Sequence, residues 1–491
     1  MSRSTPFLPG ISHRLFGRQR RSQQDQLRSQ IEQLRHGSLS QLCKVFEPWL
    51  PTQLLKRSTK GCNSRQRTYP LELTFWAFLS QVLSLGSSCR EIVRKVQAWY
   101  ASHDQELPNS GTSAYCQARG RVPISQLRSM HRHVTEKLTS QSSASDQWLG
   151  RCVKVVDGTG LSMPDTSDNQ KVWPQPNTQK PGCGFPVIKV VACFSLATGA
   201  LLNWVQGTLK DHDCRLFQGL LDYLQKDDIV LTDRGFSSFA NLAVLLARGV
   251  DTVMRLHHFR KIDWRTGQHL GKRDRVVHWK KTPMQGNLWT REQWAKLPEQ
   301  ITVRVVEIEI SVPGFRTQKI TLVTTLLDAQ KFSAVALGQL YFRRWSVELF
   351  FRDIKQSLGM DILRCQSPSM VEKEIIMHAI AYNLIRALMQ DIAHSYQVEL
   401  CRVSFKGTVD ALRHWSQLLN GKNNTPLPRN FRSLFYQTIA DDRLTIRPNR
   451  SEPRAVKRRP KNFRLLTKHR HKMVVERCRK QSQKSSKNCL I

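Results

Sequence analysis

Four side chains suited to phosphate and metal chemistry occur within one short segment. Tyr341, Arg344, Glu348 and Lys355 follow the spacing Y-x2-R-x3-E-x6-K. At about 100° per residue, a helix places these four side chains within about 60° of one another. One acid beside two bases and a phenol is suited to binding phosphates and a metal ion. The spacing fits equally well an internal i,i+4 salt bridge between Arg344 and Glu348, and does not decide between the two.

The rest of this segment predicts one continuous helix that is buried on most sides. No Gly or Pro interrupts the stretch from Gln339 to Leu358, and large apolar residues fill most of the circumference outside the polar stripe. A helix that is apolar nearly all round is expected to be buried. Buried charges need partners, so the polar stripe is expected to meet charged groups from elsewhere in the chain.

Two more acids follow apolar segments that have the composition of strands. Asp157 comes directly after Cys152–Val156, and Asp233 comes directly after Ile229–Thr232. Ligands collect at strand ends in α/β sheets, and three carboxylates there can hold two Mg²⁺ ions through oxygen ligands. Two such ions activate a water or a 3′-hydroxyl and stabilise the leaving oxygen of an in-line phosphoryl displacement. For Asp157 and Asp233 alone, turn or capping roles remain the commoner alternative.

Other carboxylates compete for the role of metal ligand. Asp228 opens its strand, and Asp353 lies about 140° around the helix from Glu348, so both are poor candidates. The competing acids are Asp165, Asp168, Asp213, Asp228 and Asp353.

The elements around the acids predict a mixed α/β sheet. Cys152–Val156, Phe185–Leu196 and Ala200–Val205 read as an antiparallel meander, and two strands separated by helices follow. A basic, Trp-rich stretch at 257–318 predicts a β-rich insertion, after which a strand and a long helix (Met370–His394) complete the core.

The predicted division of the chain has seven parts. They are a basic polar arm (1–38), a helical, DNA-binding domain (39–145), the first part of the catalytic core (146–256), the insertion (257–318), the second part of the core (319–400), a C-terminal helical region (401–442) and a basic tail (443–491).

In the helical domain, a helix that starts on a Ser/Thr cap at Thr112 is a candidate for reading DNA. Its basic residues are Arg119, Arg121, Arg128, Arg132 and His133. A helical bundle with solvated basic faces explains the same pattern equally well.

Composition favours a nucleic-acid partner. The 491 residues carry a net charge of +38, and the isoelectric point is near 10.3. Such an excess of positive charge costs self-repulsion, so a polyanionic binding partner is expected. No apolar run reaches the length of a membrane span, and the basic N-terminus lacks the apolar core of a secretion signal. The twelve cysteines show no zinc spacing, which predicts free thiols in a reducing cytoplasm. Because no apolar run is long enough to span a membrane, no membrane partner is expected.

The three motifs together resemble the signatures of IS4-family DDE transposases. The residues that carry the resemblance are Asp157-Gly158-Thr159, Asp233-Arg234-Gly235-Phe236, the Tyr341–Lys355 spacing, Arg343-Arg344-Trp345 and Ala381-Tyr382-Asn383-Leu384-Ile385-Arg386. The order of elements from about 150 to 395, including the insertion before the third acid, is similar as well.

This resemblance implies an RNase H-like mixed-sheet core that moves an insertion sequence by cut-and-paste chemistry. Asp157, Asp233 and Glu348 would be the catalytic residues and would bind two Mg²⁺ or Mn²⁺ ions. Tyr341, Arg344 and Lys355 would hold the terminal DNA backbone or an extruded base. Partners would be double-stranded DNA, as terminal inverted repeats and target, and a second copy of the chain in a synaptic complex.

Some relatives use an aromatic residue of the insertion to fill the gap left by a flipped base. Trp289 and Trp294 are possible equivalents, but four tryptophans compete and core packing is the commoner role. Two other functions remain open for the chain. One is an inactive or regulatory DNA-binding derivative of a transposase, and the other is a non-mobile nuclease on the same core.

Overall fold

The computed structural model describes residues 45–56, 64–65, 67–142, 146–284, 286, 288–310, 318–415 and 430–445. The predicted arm (1–38) and all but the first three residues of the predicted tail (443–491) lie outside the described residues. The seven-part division itself stays a prediction. The eight described cysteines are free thiols. Among the described residues, no helix is both long and apolar enough to cross a membrane.

One mixed sheet of nine strands forms the centre of the fold, as the strand pattern predicted. Its strands are β1 (Val153–Ser162), β2 (Val187–Ser195), β3 (Leu201–Gly207), β4 (Ile229–Thr232), β5 (Asp251–Arg255), β6 (Gln268–Gly271), β7 (Asp274–Lys280), β8 (Gln300–Ile310) and β9 (Gln318–Thr324). Across the sheet the order is β3-β2-β1-β4-β5-β9-β8-β7-β6.

Strand direction divides this sheet into two halves. β1, β2 and β3 are the predicted antiparallel meander, and β1, β4 and β5 are parallel. β5 pairs antiparallel with β9, and β9 pairs with β8, which continues through β7 to β6. The predicted insertion therefore extends the same sheet instead of forming a separate layer.

Helices cover both faces because neighbouring strand residues point in opposite directions. Val155 belongs to the larger apolar cluster on one face, and Val156 to the second cluster on the other. The helices are α1 (Leu71–Leu83), α2 (Cys89–Ser102), α3 (Ser113–Arg121), α4 (Ile124–Ser140), α5 (Ser167–Val172), α6 (Asp213–Gln218), α7 (Phe239–Ala247), α8 (Arg291–Ala295), α9 (Ala334–Phe342), α10 (Ser346–Arg352), α11 (Pro368–Ser395), α12 (Phe405–Trp415) and α13 (Phe431–Asp441).

The N-terminal helices share their core with the sheet. α4 packs along α11, and residues of α1 and α4 belong to the same apolar cluster as β1 and α11. α3 begins at Ser113 with Thr112 in the cap position, but the Thr112 side chain makes no capping hydrogen bond.

Arg119 does not face outward as a DNA-reading residue. Its guanidinium hydrogen-bonds the Gln81 side chain and lies 5.1 Å from the ring centroids of Phe78 and Tyr115. Arg119 therefore packs between α3 and α1, and the role of the helix in reading DNA stays a prediction.

The prediction that the first strand ends at Asp157 is also wrong. β1 runs through Asp157 and Gly158 to Ser162, because β2 pairs with it along this whole stretch. Gly158 and Gly160 lack a Cβ but keep their place in the ladder opposite Val191 and Lys189.

The segment predicted as one buried helix is helical but neither uniform nor buried all round. After α9 a 3₁₀ turn covers Arg343–Trp345, α10 follows, and Asp353–Ser357 forms a π-helical turn. Leu349 is exposed, as is Glu348. The reason is that α10 packs only one side against the sheet, where Phe350 and Phe351 meet Phe194 of β2.

Candidate active site

The parallel pairing of β1 and β4 brings Asp157 and Asp233 to one place. The last residues paired between the two strands are Val155 and Leu231. Asp157 and Asp233 each lie two residues beyond that pair, so the parallel course of the two segments places them side by side. β4 ends there, while β1 continues, and the edge of β1 is left open beside Asp157. The candidate site lies where one parallel strand outlasts its neighbour.

Asp157 lies in an environment that disfavours its charge. Burial raises the pKa of Asp157 to about 6, and Asp233 and Glu348 add to the increase. The Gly158 amide, which donates to Oδ1 at 2.8 Å, and Arg344 act against it. Because Asp233 and Glu348 are both close enough to affect this pKa, the three predicted acids share one electrostatic site.

The position of Asp233 is fixed by its own turn. Its side chain caps the 3₁₀ turn Arg234–Phe236 by accepting from the Gly235 amide at 2.8 Å. The Cys214 thiol of α6 donates to the Gly235 carbonyl at 3.0 Å. The turn is thereby attached to α6, and one carboxylate oxygen of Asp233 remains for another ligand.

Arg344 reaches both remaining acids. Its guanidinium nitrogens lie 3.9 Å from Asp157 Oδ2 and 3.8 Å from Glu348 Oε1. Arg344 is only 8% exposed, yet its Nε has no hydrogen-bond partner. The Glu348 side chain is 63% exposed, and an exposed ion pair of this kind contributes little stability. The predicted internal salt bridge is present, but it leaves the arginine incompletely bonded.

Tyr341 forms the buried wall behind Arg344. Its ring centroid lies 5.7 Å from the Arg344 guanidinium carbon. Burial raises the pKa of the Tyr341 phenol, whereas Arg344 and Arg255 lower it. Arg255 was missed by the sequence interpretation. Because Thr232 pairs with Met254 across β4 and β5, Arg255 falls beside Asp233, and the order of parallel strands was the signal that could have found it.

Lys355 contacts β1 further along the same face. Its Nζ donates to Thr159 Oγ1 and to the Gly160 carbonyl, both at 3.1 Å. Thr159 lies on the same face of β1 as Asp157, two residues on. The lysine charge therefore sits beside the acids without pairing with one of them.

The donor chemistry of this site fits a hard divalent cation. Carboxylate oxygens are the preferred ligands of Mg²⁺, and the guanidinium of Arg344 occupies a cationic position between Asp157 and Glu348. In the described part of the chain, however, no group of three His, Cys, Asp or Glu side chains is close enough to hold a metal ion. Binding of one ion by all three acids at once would require them to move closer together.

The competing acids lie elsewhere or on the other side of β1. Asp228 pairs with Lys154 at 2.6 Å at the start of β4, and Asp353 lies 3.6 Å from Arg352. Asp213 is the nearest rival. It pairs with Lys189 at 3.1 Å, and its Oδ1 would lie 3.4 Å from a Cβ on Gly158. Gly158 therefore leaves room for Asp213 on the face opposite Asp157.

Comparison with known proteins gives a consistent result. A family model described as the transposase DDE domain matches residues 148–384. The transposase InsG of insertion sequence element IS4 from Escherichia coli (strain K12) is 26% identical over 435 residues, 87% of this chain and 94% of the relative. The putative transposase InsZ of the same organism is 23% identical over 210 residues, 42% of this chain and 68% of the relative.

A solved structure, of a piggyBac transposase synaptic complex with hairpin DNA, covers 82% of each chain at 10% identity and a TM-score of 0.39. That score is too low to establish a common fold. The family match and the long alignment to the IS4 transposase together support an IS4-family DDE transposase.

Proposed function

We propose that this protein cuts the ends of its insertion sequence and joins them to target DNA by two-metal-ion phosphoryl transfer. Asp157, Asp233 and Glu348 would hold two Mg²⁺ or Mn²⁺ ions, which would activate the attacking oxygen and stabilise the leaving one. The observation that carries the proposal is the convergence of the three acids at the point where β1 outlasts β4.

The basic residues of the site would bind the DNA backbone at the cut. Arg344 is nearly buried with an unbonded Nε, which suits it to a bidentate phosphate contact. When metal binds the acids, Arg344 would be released from them and turn to phosphate. Lys355 would supply a second positive charge, and Tyr341 a ring and a hydroxyl beside Arg344.

The surrounding assembly follows from the same reaction. Strands β1 to β5 would be the RNase H-like core, a proposal supported by an antiparallel meander followed by two parallel strands. The substrate would be double-stranded DNA with terminal inverted repeats, in the bacterial cytoplasm. Because two ends must be held together for joining, we propose a homodimer in the synaptic complex.

Cleavage of a terminal-repeat duplex tests this proposal. The protein with Mg²⁺ is expected to nick the duplex at the element end, and Glu348→Ala is expected to lower the rate by about 10²- to 10³-fold, the scale of losing one major electrostatic stabiliser. Glu136→Ala, which removes an exposed acid on α4, is the matched control and should cut normally.

Three outcomes separate the candidate functions. Undiminished cleavage by Glu348→Ala would contradict the assignment of the third acid. Tight DNA binding without cleavage by the unaltered protein would favour an inactive or regulatory DNA-binding derivative. Cleavage without strand transfer from pre-cut ends would favour a non-mobile nuclease.

A further inference from the structure

A cavity of about 260 Å³ lies where the N-terminal helices meet the core. Its walls come from α1, the turn between α1 and α2, α3, the segment after the π-helical turn, and α11. The lining residues that matter here are Gln81, Ser87, Arg119, Leu358 and Glu374. Ligand sites usually measure about 300–1,000 Å³, so this cavity suits a small molecule. The residues of the candidate active site do not line it.

A guanidinium that lacks an acid partner lies at this cavity. The half-buried Arg119 donates to the Gln81 side chain at 3.2 Å and to the Cys89 and Cys116 sulfurs at 3.5 and 3.9 Å. Burial raises the pKa of Cys116, so that thiol is uncharged. The buried Nε of Arg119 has no hydrogen-bond partner, and no carboxylate of the described chain forms an ion pair with this side chain. A cation in such surroundings is costly, and a bound anion would neutralise it.

The start of α2 adds hydrogen-bond donors to the same cavity. Ser87 is 2% exposed, and its Oγ is buried without a hydrogen-bond partner. Ser88 caps the 14-residue α2 by accepting from the Glu91 amide at 3.2 Å. The other amides of the first turn have no partner within the helix, and the N-terminal end of a helix favours anions. Ser87, Ser88, Cys89 and Arg119 all line the cavity.

The charge of the cavity lining is positive. Its one carboxylate, Glu374, accepts from the main-chain amides of Arg364 and Cys365 at 3.0 and 2.9 Å. The Arg364 guanidinium donates to the Ser87 carbonyl at 2.9 Å. Burial lowers the pKa of His378, so this ring is neutral. Two guanidinium groups therefore face one carboxylate that main-chain amides already hold.

We propose that this cavity binds one small free oxyanion of the phosphate class. Arg119 would give the anion a charge-assisted hydrogen bond, and Ser87 would donate its hydroxyl beside the start of α2. A phosphate of duplex DNA carries the same chemistry. A free anion fits better, because the cavity is small and lies inside the junction between the N-terminal helices and the core.

A ligand in this position would connect two parts of the fold. Leu85, in the turn before α2, touches Gly359 so closely that its Cδ1 would lie 2.5 Å from a Cβ there. Leu358 and Gly359 line the cavity and directly follow the π-helical turn Asp353–Ser357, which carries Lys355. A bound anion would therefore fix the N-terminal helices against the end of this segment. The inference does not depend on the proposed function.

Thermal unfolding of the full-length protein with inorganic phosphate tests the proposal. Phosphate would replace chloride stepwise at constant ionic strength in EDTA, and isothermal titration calorimetry would give the affinity. Phosphate should raise the unfolding midpoint, because a ligand that binds the folded state stabilises it. Arg119→Gln and Ser87→Ala should each weaken phosphate binding about 10- to 150-fold, the effect of losing one hydrogen bond to a charged group.

Ser87→Ala also separates binding from folding. The substitution removes a hydroxyl that has no partner, so without phosphate the variant should unfold at the same midpoint as the unaltered protein. Arg94→Gln is the matched control for Arg119→Gln. Arg94 is an exposed residue of α2 that bonds the Gln97 side chain at 2.8 Å, and its loss should leave phosphate binding unchanged.

Three results would overturn the assignment. The first is an unfolding midpoint of the unaltered protein that does not respond to phosphate. The second is equal phosphate binding by Arg119→Gln, Ser87→Ala and Arg94→Gln, which would place the anion on the general basic surface. The third is displacement of phosphate by a DNA duplex whose own binding weakens in Ser87→Ala, which would assign the cavity to a DNA phosphate. Cleavage by the unaltered protein is measured separately, so each of these results would leave the proposed function intact.

Discussion

Asp157 is a largely buried carboxylate whose environment disfavours its charge. Burial together with two neighbouring carboxylates raises its pKa to about 6, so its charged form is costly where it stands. Arg344 relieves this only partly, at 3.9 Å from Oδ2. A divalent cation would stabilise the same charge far better. Perturbed carboxyl pKa values in a cleft are typical of functional sites.

This cost predicts that Asp157→Asn stabilises the metal-free protein at high pH. A carboxyl pKa raised from 3.8 to about 6 means that the folded state holds the proton more tightly than the unfolded state. Stability therefore falls as the pH rises from about 4 to about 6 and stays low above that, by up to about 3 kcal/mol. Asn carries no charge and avoids the loss. Urea unfolding in EDTA at about pH 4 and about pH 8, the lower edge of this window and a value above it, should show a gain for the variant chiefly at the higher pH.

A control variant and the addition of Mg²⁺ complete this experiment. Asp361→Asn, at an exposed position after the π-helical turn, should show no such pH-dependent gain. Added Mg²⁺ should stabilise the unaltered protein, because a ligand that binds the folded state shifts its stability, and should not stabilise Asp157→Asn. Equal stability of the two proteins at pH 8 in EDTA would contradict the idea that burial of this charge is costly.

At the scale of elements, the segment carrying Arg344, Glu348 and Lys355 is not an ideal helix. A 3₁₀ turn tightens it at Arg343–Trp345 and a π-helical turn widens it at Asp353–Ser357. Such turns inside helices are frequent at functional sites. The consequence is that Arg344 faces inward, Glu348 lies at the surface and Lys355 contacts β1. One uniform rotation per residue cannot describe this arrangement.

The motif Ala381–Arg386 of α11 holds the β2–β3 hairpin in place and does not enter the site. The Tyr382 hydroxyl donates to the Gly199 carbonyl at 2.7 Å, and Arg386 Nε donates to the Thr198 carbonyl at 2.8 Å. Asn383 accepts from the Leu201 amide at 2.9 Å and donates to the Leu201 carbonyl at 2.9 Å. The turn that begins β3 is therefore attached to the long central helix.

Asn383→Ala is expected to destabilise the protein by about 2–4 kcal/mol. Asn383 is fully buried, and its removal leaves the Leu201 amide without this acceptor, at about 1–3 kcal/mol. The Thr135 hydroxyl loses the bond it accepts from Asn383 but keeps its own bond to the His131 carbonyl, a further loss of about 0.5–1.5 kcal/mol. Urea or thermal unfolding would measure the loss, and cleavage at low temperature should remain normal because the acids are untouched. Asn203→Ala is the control, since that side chain accepts only from the adjacent Trp204 amide. Equal losses for both variants would contradict the attachment.

The sequence was sufficient for features that depend on local pattern. Apolar runs located the meander and the buried β4, and the position of Asp233 directly after β4 is confirmed. Features that depend on contacts between segments distant in the chain could not be predicted from the sequence. β1 continues past Asp157 because β2 pairs with it, and Arg119 turns inward because α1 lies beside α3. Arg255 became a candidate only once β5 was placed next to β4.

At the scale of the whole molecule, the positive charge exceeds what the site can use. The net charge is +38, and residues 443–491 alone carry 17 Lys and Arg against two Glu. Cations in such number attract the phosphate backbone without regard to sequence. The site and the excess charge are therefore expected to serve different steps. The site would carry out the chemistry at the DNA end, and the excess charge would capture the surrounding duplex.

Removal of residues 446–491 tests this division. The end of the described chain stays attached in this variant, because the Leu444 amide donates to the Arg402 carbonyl and Arg443 forms a β-bridge with Val403. The truncated protein should therefore fold. It removes every tail cation except Arg443. The slope of log affinity for duplex DNA against log salt should become shallower by about 0.9 for each phosphate that the tail neutralises in the unaltered protein. Cleavage at saturating DNA should not change.

A tail of the same length with Gln in place of Lys and Arg should behave like the truncation if charge is the cause. An unaltered slope in both proteins would mean that the folded part, and not the tail, captures the duplex.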